Sequence, residues 1–129
     1  MNVAAVGRKR VLMVDPNPAH LELVREFLPA GRFNLECVGT GREALSKMRA
    51  NPYDIVVIEQ RLADLPGLDL MKAIRAVFQD VRIVLVSALE DPDLGTRAMD
   101  AGASDHIDKR FRFYSKLRDR LMEESGASA

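Results

Sequence analysis

The chain has 129 residues, of which 47% are hydrophobic, and its nineteen basic and nineteen acidic side chains leave a formal net charge of zero. Such a length suits one domain burying roughly two-thirds of the surface its unfolded chain exposes, and the balanced charge sets up no long-range field toward nucleic acid or an anionic membrane. No apolar run approaches the length of a membrane span, and Met1 to Arg10 lacks the apolar stretch of a secretory signal, so a cytoplasmic location is expected.

Residues 1 to 8 read as a loosely ordered lead-in. Val11-Leu12-Met13-Val14 is apolar without polar alternation, as in a strand buried on both faces, and it stops on a carboxylate, Asp15. Pro16, Asn17 and Pro18 break the strand and start a helix with Leu21, Val24 and Leu28 on one face and Leu23 and Phe27 flanking it. Pro29 and Gly31 end that helix, and His20 reads as one of its surface residues. Asn34-Leu35-Glu36-Cys37-Val38 alternates polar with apolar, as expected of an edge strand. Its Cys37 is the one cysteine of the chain, which can form no internal disulfide and reads as a small core hydrophobe. Thr40 serves as an N-cap, with Glu43 completing a capping box, for a helix through Ala50 that buries Ala44, Leu45 and Met48.

The rest of the chain is organised around Asp54-Ile55-Val56-Val57-Ile58-Glu59-Gln60. Its run of β-branched residues reads as the central strand, and the carboxylate that ends it, Glu59, is costly against a core unless a cation or hydrogen-bond donors meet it. A turn-rich loop, Arg61 to Pro66, leads to a helix from Gly67 to about Phe78 that presents Leu68, Met71, Ile74 and Val77. Val81 to Val86 is the fourth strand, ending on the hydroxyl of Ser87. Asp91 to Ala101 is helical by pattern, but it carries Gly95 and has only Leu94, Ala98 and Met99 as anchors, so it is expected to be the least firmly held helix. His106-Ile107-Asp108 forms a short strand ending on Lys109. The last helix, about Arg112 to Glu123, packs Phe113 or Tyr114, Leu117 and Leu121, and Glu124 to Ala129 reads as a frayed tail. The whole, 1–129, reads as one domain with an ordered core of about 9–123.

Strands alternating with helices in this way predict an α/β fold, a doubly wound (βα)5 flavodoxin-like three-layer sandwich with a parallel sheet in the order 2-1-3-4-5. The crevice of such a sheet lies at the carboxyl ends of its strands, which collects Asp15, Glu59, Ser87 and Lys109. Two distant histidines without a nucleophile elbow do not make a hydrolase triad, and no Gly-rich loop follows the first strand to cradle a nucleotide.

Several separated segments then agree in order: Val14-Asp15-Pro16-Asn17-Pro18, Glu59, Gly67-Leu68-Asp69-Leu70, Val86-Ser87-Ala88, and Gly102-Ala103-Ser104-Asp105-His106-Ile107-Asp108-Lys109. In these the chain resembles the receiver domain of bacterial response regulators, from Arg10 to about Met122. The resemblance implies a place in a two-component phosphorelay. In that family an aspartate of strand three takes a phosphoryl group from a histidine kinase, and two acids after strand one help to hold magnesium. A Ser or Thr after strand four follows the phosphate, a strand-five lysine pairs with it, and an aromatic residue near the lysine changes rotamer. Carried over, the resemblance makes Asp15 the first acid, Ser87 and His106 the switch residues, and Lys109 the lysine.

Glu59 stands at the acceptor position, Pro16 replaces the second acid, and Arg110 replaces the proline that usually follows the lysine. The loop departs too, at Ala63 and Pro66. Proline offers a hard dication no carboxylate, so the site at Asp15 and Glu59 reads as degenerate, with weak or absent magnesium binding and no other cofactor. Glutamate reaches about one methylene further than aspartate, which takes its oxygens out of line for phosphoryl transfer. A glutamate–lysine pair at about 4 Å and an effective dielectric near 20 attracts by roughly 4 kcal/mol before desolvation, so Glu59 is expected to hold Lys109 as a phosphorylated acceptor would. Arg61 is expected to add a second cation, and the bond before Arg110 to be trans.

The expected protein is a signalling module, not an enzyme, acting by protein contact. Its helix 4, strand 5 and helix 5 face would present Arg97, Arg110, Arg112, Lys116 and Arg118 to an acidic signalling partner. A histidine kinase and a second copy of the chain are further candidate partners; nucleic acid and membrane are not expected. Two alternatives stand beside this reading: a phosphoreceiver using Asp64 or Asp15, and a regulatory domain cut from a larger response regulator or hybrid kinase.

Overall fold

A computed structural model describes residues 7–88 and 91–127, with side chains described as far as residue 123. The elements are β1 (Lys9–Val14), α1 (Pro18–Phe27), β2 (Phe33–Val38), α2 (Gly41–Ala50), β3 (Ile55–Glu59), α3 (Gly67–Val77), β4 (Arg82–Ser87), α4 (Leu94–Asp100), β5 (Asp105–Asp108) and α5 (Phe113–Ala127). All strand pairs are parallel and the order is β2-β1-β3-β4-β5, the doubly wound topology that the pattern predicts. Most of the expected lead-in, residues 1–6, and the last two residues of the expected tail lie outside the described residues. α5 continues through Glu124 to Ala127, where fraying was expected.

The three layers follow from the pleat, which sends successive side chains of an apolar strand to opposite faces. Val11, Met13, Ile55, Val57, Val84, Val86 and Ile107 pack on one face with Val24 of α1 and Phe113, Leu117 and Leu121 of α5. Leu12, Val14, Val56, Ile58, Ile83 and Leu85 pack on the other with Met48 of α2, Leu70 and Ile74 of α3, and Leu94 and Ala98 of α4.

Two expected core anchors are instead on the surface. Val77 is 70% exposed and Met99 49%, while Leu70 of α3 is fully buried. Both lie at a helix end, Val77 as the last residue of α3 and Met99 as the last but one of α4. Cys37 is only half-buried, because β2 forms one edge of the sheet. Burial still pushes its thiol above the ordinary value.

Helix starts are well specified. Asn17 accepts the Ala19 N–H, with Pro18 in the first turn of α1. Thr40 Oγ1 accepts the Glu43 N–H at 3.1 Å and donates to the Glu43 carboxylate at 3.0 Å, closing the expected capping box through the hydroxyl. The free amides of Gly41 and Arg42 are met by Asp64, at 3.0 and 2.8 Å. A Cβ on Gly67 would lie 2.5 Å from the Glu59 carbonyl oxygen, so only glycine lets α3 begin directly over the end of β3.

Candidate functional site at the strand carboxyl ends

The alternation that sorts the core also sorts the polar residues that terminate it. Asp15, Glu59 and Lys109 continue the odd-numbered series Val11-Met13, Ile55-Val57 and Ile107, and so fall on the α1 and α5 side of the sheet. There they converge. Lys109 Nζ lies 2.6 Å from Asp15 Oδ2 and 3.1 Å from Glu59 Oε2, and the three side chains are 6%, 3% and 10% exposed. The bond to Asp15 has hydrogen-bond geometry. Glu59 Oε2 is buried without a hydrogen-bond partner, so its contact with the ammonium is Coulombic and poorly aligned. The Phe113 ring lies 5.3 Å beneath the ammonium.

A fourth group joins them that the sequence reading left on the helix surface. His20, in the first turn of α1, brings Nδ1 to 3.0 Å from Asp15 Oδ2. A signal for it was present: side chains in a first helical turn lean toward the helix N-terminus, which here is the end of β1. Arg61, expected as the second cation, is exposed instead. Among the described residues, the basic side chains within 4 Å of the Asp15 and Glu59 carboxylates are Lys109, which reaches both, and the His20 imidazole, which reaches Asp15. The loop after β3 turns outward as Gln60 folds back over it, its carbonyl accepting from Gly67 N–H and its amide oxygen from Leu68 N–H, both at 2.8 Å.

Ser87 and His106 fall on the opposite, α4 side and meet each other there, with Oγ 2.8 Å from Nε2. The space that receives the imidazole is made by Gly95, where a Cβ would approach His106 Nδ1 to 3.1 Å. Burial pushes the His106 imidazole below its ordinary value, so the neutral ring is favoured. The two halves of the site are tied together by Lys109 N–H, which donates to the Ser87 carbonyl at 2.8 Å.

No cis peptide occurs among the described residues, and the bond before Arg110 is trans as expected. Arg110 turns back on Asp108 with several hydrogen bonds, which hold that carboxyl far below the usual range. Arg97 pairs with Asp91 at 2.9 Å and Arg118 with Asp119 at 3.0 Å, while Arg112 and Lys116 are exposed. The α4, β5 and α5 face thus carries basic side chains of which Arg97, Arg110 and Arg118 are paired with nearby aspartates. Asp64 has both oxygens on the α2 amides, which hold its carboxyl below the usual range.

Magnesium does not fit the residues present. Pro16 supplies no side-chain donor, Asp15 Oδ1 already accepts from Asn17 N–H at 2.8 Å, and Oδ2 already takes both Lys109 and His20. Among the described residues no three acidic, histidine or cysteine side chains are grouped to hold a metal ion. None of the described helices is long and apolar enough to cross a membrane.

A family model for the response regulator receiver domain matches residues 11–121. Regulatory protein VanRB of Enterococcus faecalis is 32% identical over 122 residues, covering 93% of this chain and 55% of that protein. Transcriptional regulatory protein ZraR of Salmonella typhimurium is 27% identical over 117 residues, or 91% of this chain and 25% of that protein. The chain thus spans about half, or less, of the length of these relatives. A crystal structure of a response regulator from Thermotoga maritima matches with 28% identity and a TM-score of 0.79, covering 90% of this chain and 96% of that one. The Francisella response regulator 1452 receiver domain shares the fold, with a TM-score of 0.83 at 21% identity over 95% of this chain and all of that one.

Proposed function

The chain belongs to the response regulator receiver domain family, and from that premise we propose that it is a receiver held in one signalling state by Glu59 rather than by a transferred phosphoryl group. It carries a signal through contact with another signalling protein, on the face formed by α4, β5 and α5, and catalyses no reaction of its own. A histidine kinase and a second copy of the chain are the other partners the family suggests. Its magnesium affinity is weak or absent, and it works in the cytoplasm.

The observation that carries this reading is the engagement of Lys109, which sits between Asp15 at 2.6 Å and Glu59 at 3.1 Å. A glutamate in the acceptor seat supplies permanent negative charge to the lysine that would otherwise wait for a phosphate. Ser87 and His106, bonded at 2.8 Å on the α4 side, form the switch pair that this charge biases through the Lys109 backbone. The alternative acceptors are poorly placed as nucleophiles, because the Asp64 oxygens are spent on α2 amides and those of Asp15 on three donors.

Incubation with magnesium and acetyl phosphate tests the proposal, with intact-mass spectrometry as the readout. No adduct is expected, and stoichiometric acid-labile phosphorylation would overturn it. Glu59→Asp alone is expected to be labelled poorly, since Pro16 still leaves a dication short of a ligand. Efficient labelling of that variant would refute the part assigned to Pro16.

A further inference from the structure

The first turn of α1 makes a chain of hydrogen bonds that ends on Asp15. Asn17 Oδ1 accepts from Ala19 N–H at 2.9 Å, which fixes the orientation of its amide and turns the NH2 group to His20 Nε2, at 3.4 Å. With Nε2 used as the acceptor, the ring proton lies on Nδ1 and is donated to Asp15 Oδ2 at 3.0 Å. The Phe113 ring, edge to face with the imidazole at 5.4 Å and 81°, fixes its plane from the other side. Asp15 is 4% exposed and so has few directions from which a ligand can reach it.

We propose that His20, oriented by Asn17, is a positioning residue that occupies the cation-facing oxygen of Asp15 and so keeps divalent metal out of the pocket. A carboxylate oxygen has two in-plane lone pairs, and Lys109 and His20 together take both on Oδ2. A dication approaching Oδ2 must displace the imidazole and then compete with an ammonium 2.6 Å away, while Oδ1 is already engaged by the Asn17 N–H. Metal is thereby disfavoured twice over, by proline in place of a carboxylate at residue 16 and by an internal donor on Asp15 Oδ2. This inference rests on the reading of the pocket as a fixed, metal-independent switch, and it adds the residue that enforces that condition.

The test uses Mn2+ alone, titrated into the full chain and followed by electron paramagnetic resonance of the free ion, for wild type, Pro16→Asp, His20→Ala and the double variant. Circular dichroism checks that each is folded. Pro16→Asp returns a carboxylate but leaves His20 in place, so weak binding is expected from it and about tenfold or more tighter binding from the double variant, the size of effect that orienting neighbours have on metal sites. Equal affinity of Pro16→Asp and the double variant would overturn the proposal, as would wild-type affinity matching that of the double variant. A second measurement needs no variant: nitrogen-15 spectra of wild type should show a proton on His20 Nδ1, and a bare Nδ1 would overturn the proposal. Because no phosphodonor is present, phosphorylation of the wild type would remove the Glu59 reading while leaving this comparison to stand or fall separately.

Discussion

At the scale of single residues, the pocket is decided by how a buried ammonium is satisfied. Removing one partner from a buried ion cluster leaves uncompensated charge, at a cost of roughly 3 to 5 kcal/mol. Lys109→Met would leave the Asp15 and Glu59 carboxylates facing each other at 3% and 10% exposure. Urea unfolding is therefore expected to show a loss of about that size, roughly 3 to 5 kcal/mol, and a loss below about 1 kcal/mol would mean that the cluster is solvated. His106 gives a pH signature. Burial lowers its folded-state pKa, so the stability tied to the neutral ring is complete above the ordinary value of 6.5 and is lost as pH falls from there through the lowered value. His106→Phe is expected to remove that acid-side component, and parallel pH profiles of wild type and variant would contradict it. Cys37 and His20 show the limit of residue-level reading. The sequence identifies each side chain but not how many neighbours cover it.

At the scale of elements, the junction of β3 and α3 has the least freedom. A methyl group on Gly67 meets backbone, the Glu59 carbonyl at 2.5 Å and the Gln60 Cα at 2.8 Å, neither of which can rotate away. Gly67→Ala is expected to cost about 1 to 3 kcal/mol by overpacking. It should also shift the amide resonances of Glu59 and Lys109, and an unchanged melting temperature would show that α3 can slide. Asp64 does for α2 what a side chain within the helix cannot, by meeting two amides that Thr40 leaves open. Asp64→Ala is expected to speed hydrogen exchange at Gly41 and Arg42 while leaving the middle of α2 protected. Helix existence was legible in hydrophobic spacing and caps, as at Thr40 and Pro18. Burial at helix ends was less so: Val77 and Met99 keep the hydrophobic spacing of their helices and are nevertheless exposed.

At the scale of the whole molecule, a second polar cluster lies away from the carboxyl-end pocket. Toward the β2 edge Tyr53, just before β3, donates to Glu36 of β2, which also pairs with Arg10 at 3.0 Å, and the Arg10 guanidinium lies 4.9 Å over the Tyr53 ring. Burial and the Glu36 carboxylate push the Tyr53 phenol up to about 12 from its ordinary value of 10.0. A raised folded-state pKa gives stability that is complete below pH 10 and is lost as pH rises toward 12. Tyr53→Phe should therefore flatten the fall in stability across that range, and an unaltered alkaline limb in urea melts at successive pH values would count against the cluster. By itself the sequence determined the strand order and which residues stand at the carboxyl ends. Two-sided apolar strands belong in the middle of a parallel sheet, and each strand's last residue follows directly from where its apolar run stops. Only the tertiary structure decided that Asp15, Glu59 and Lys109 share one face while Ser87 and His106 share the other, and that His20 rather than Arg61 reaches Asp15. The pleat register and the direction of a helix's first turn become contacts only when strands and helices far apart in the chain are packed together.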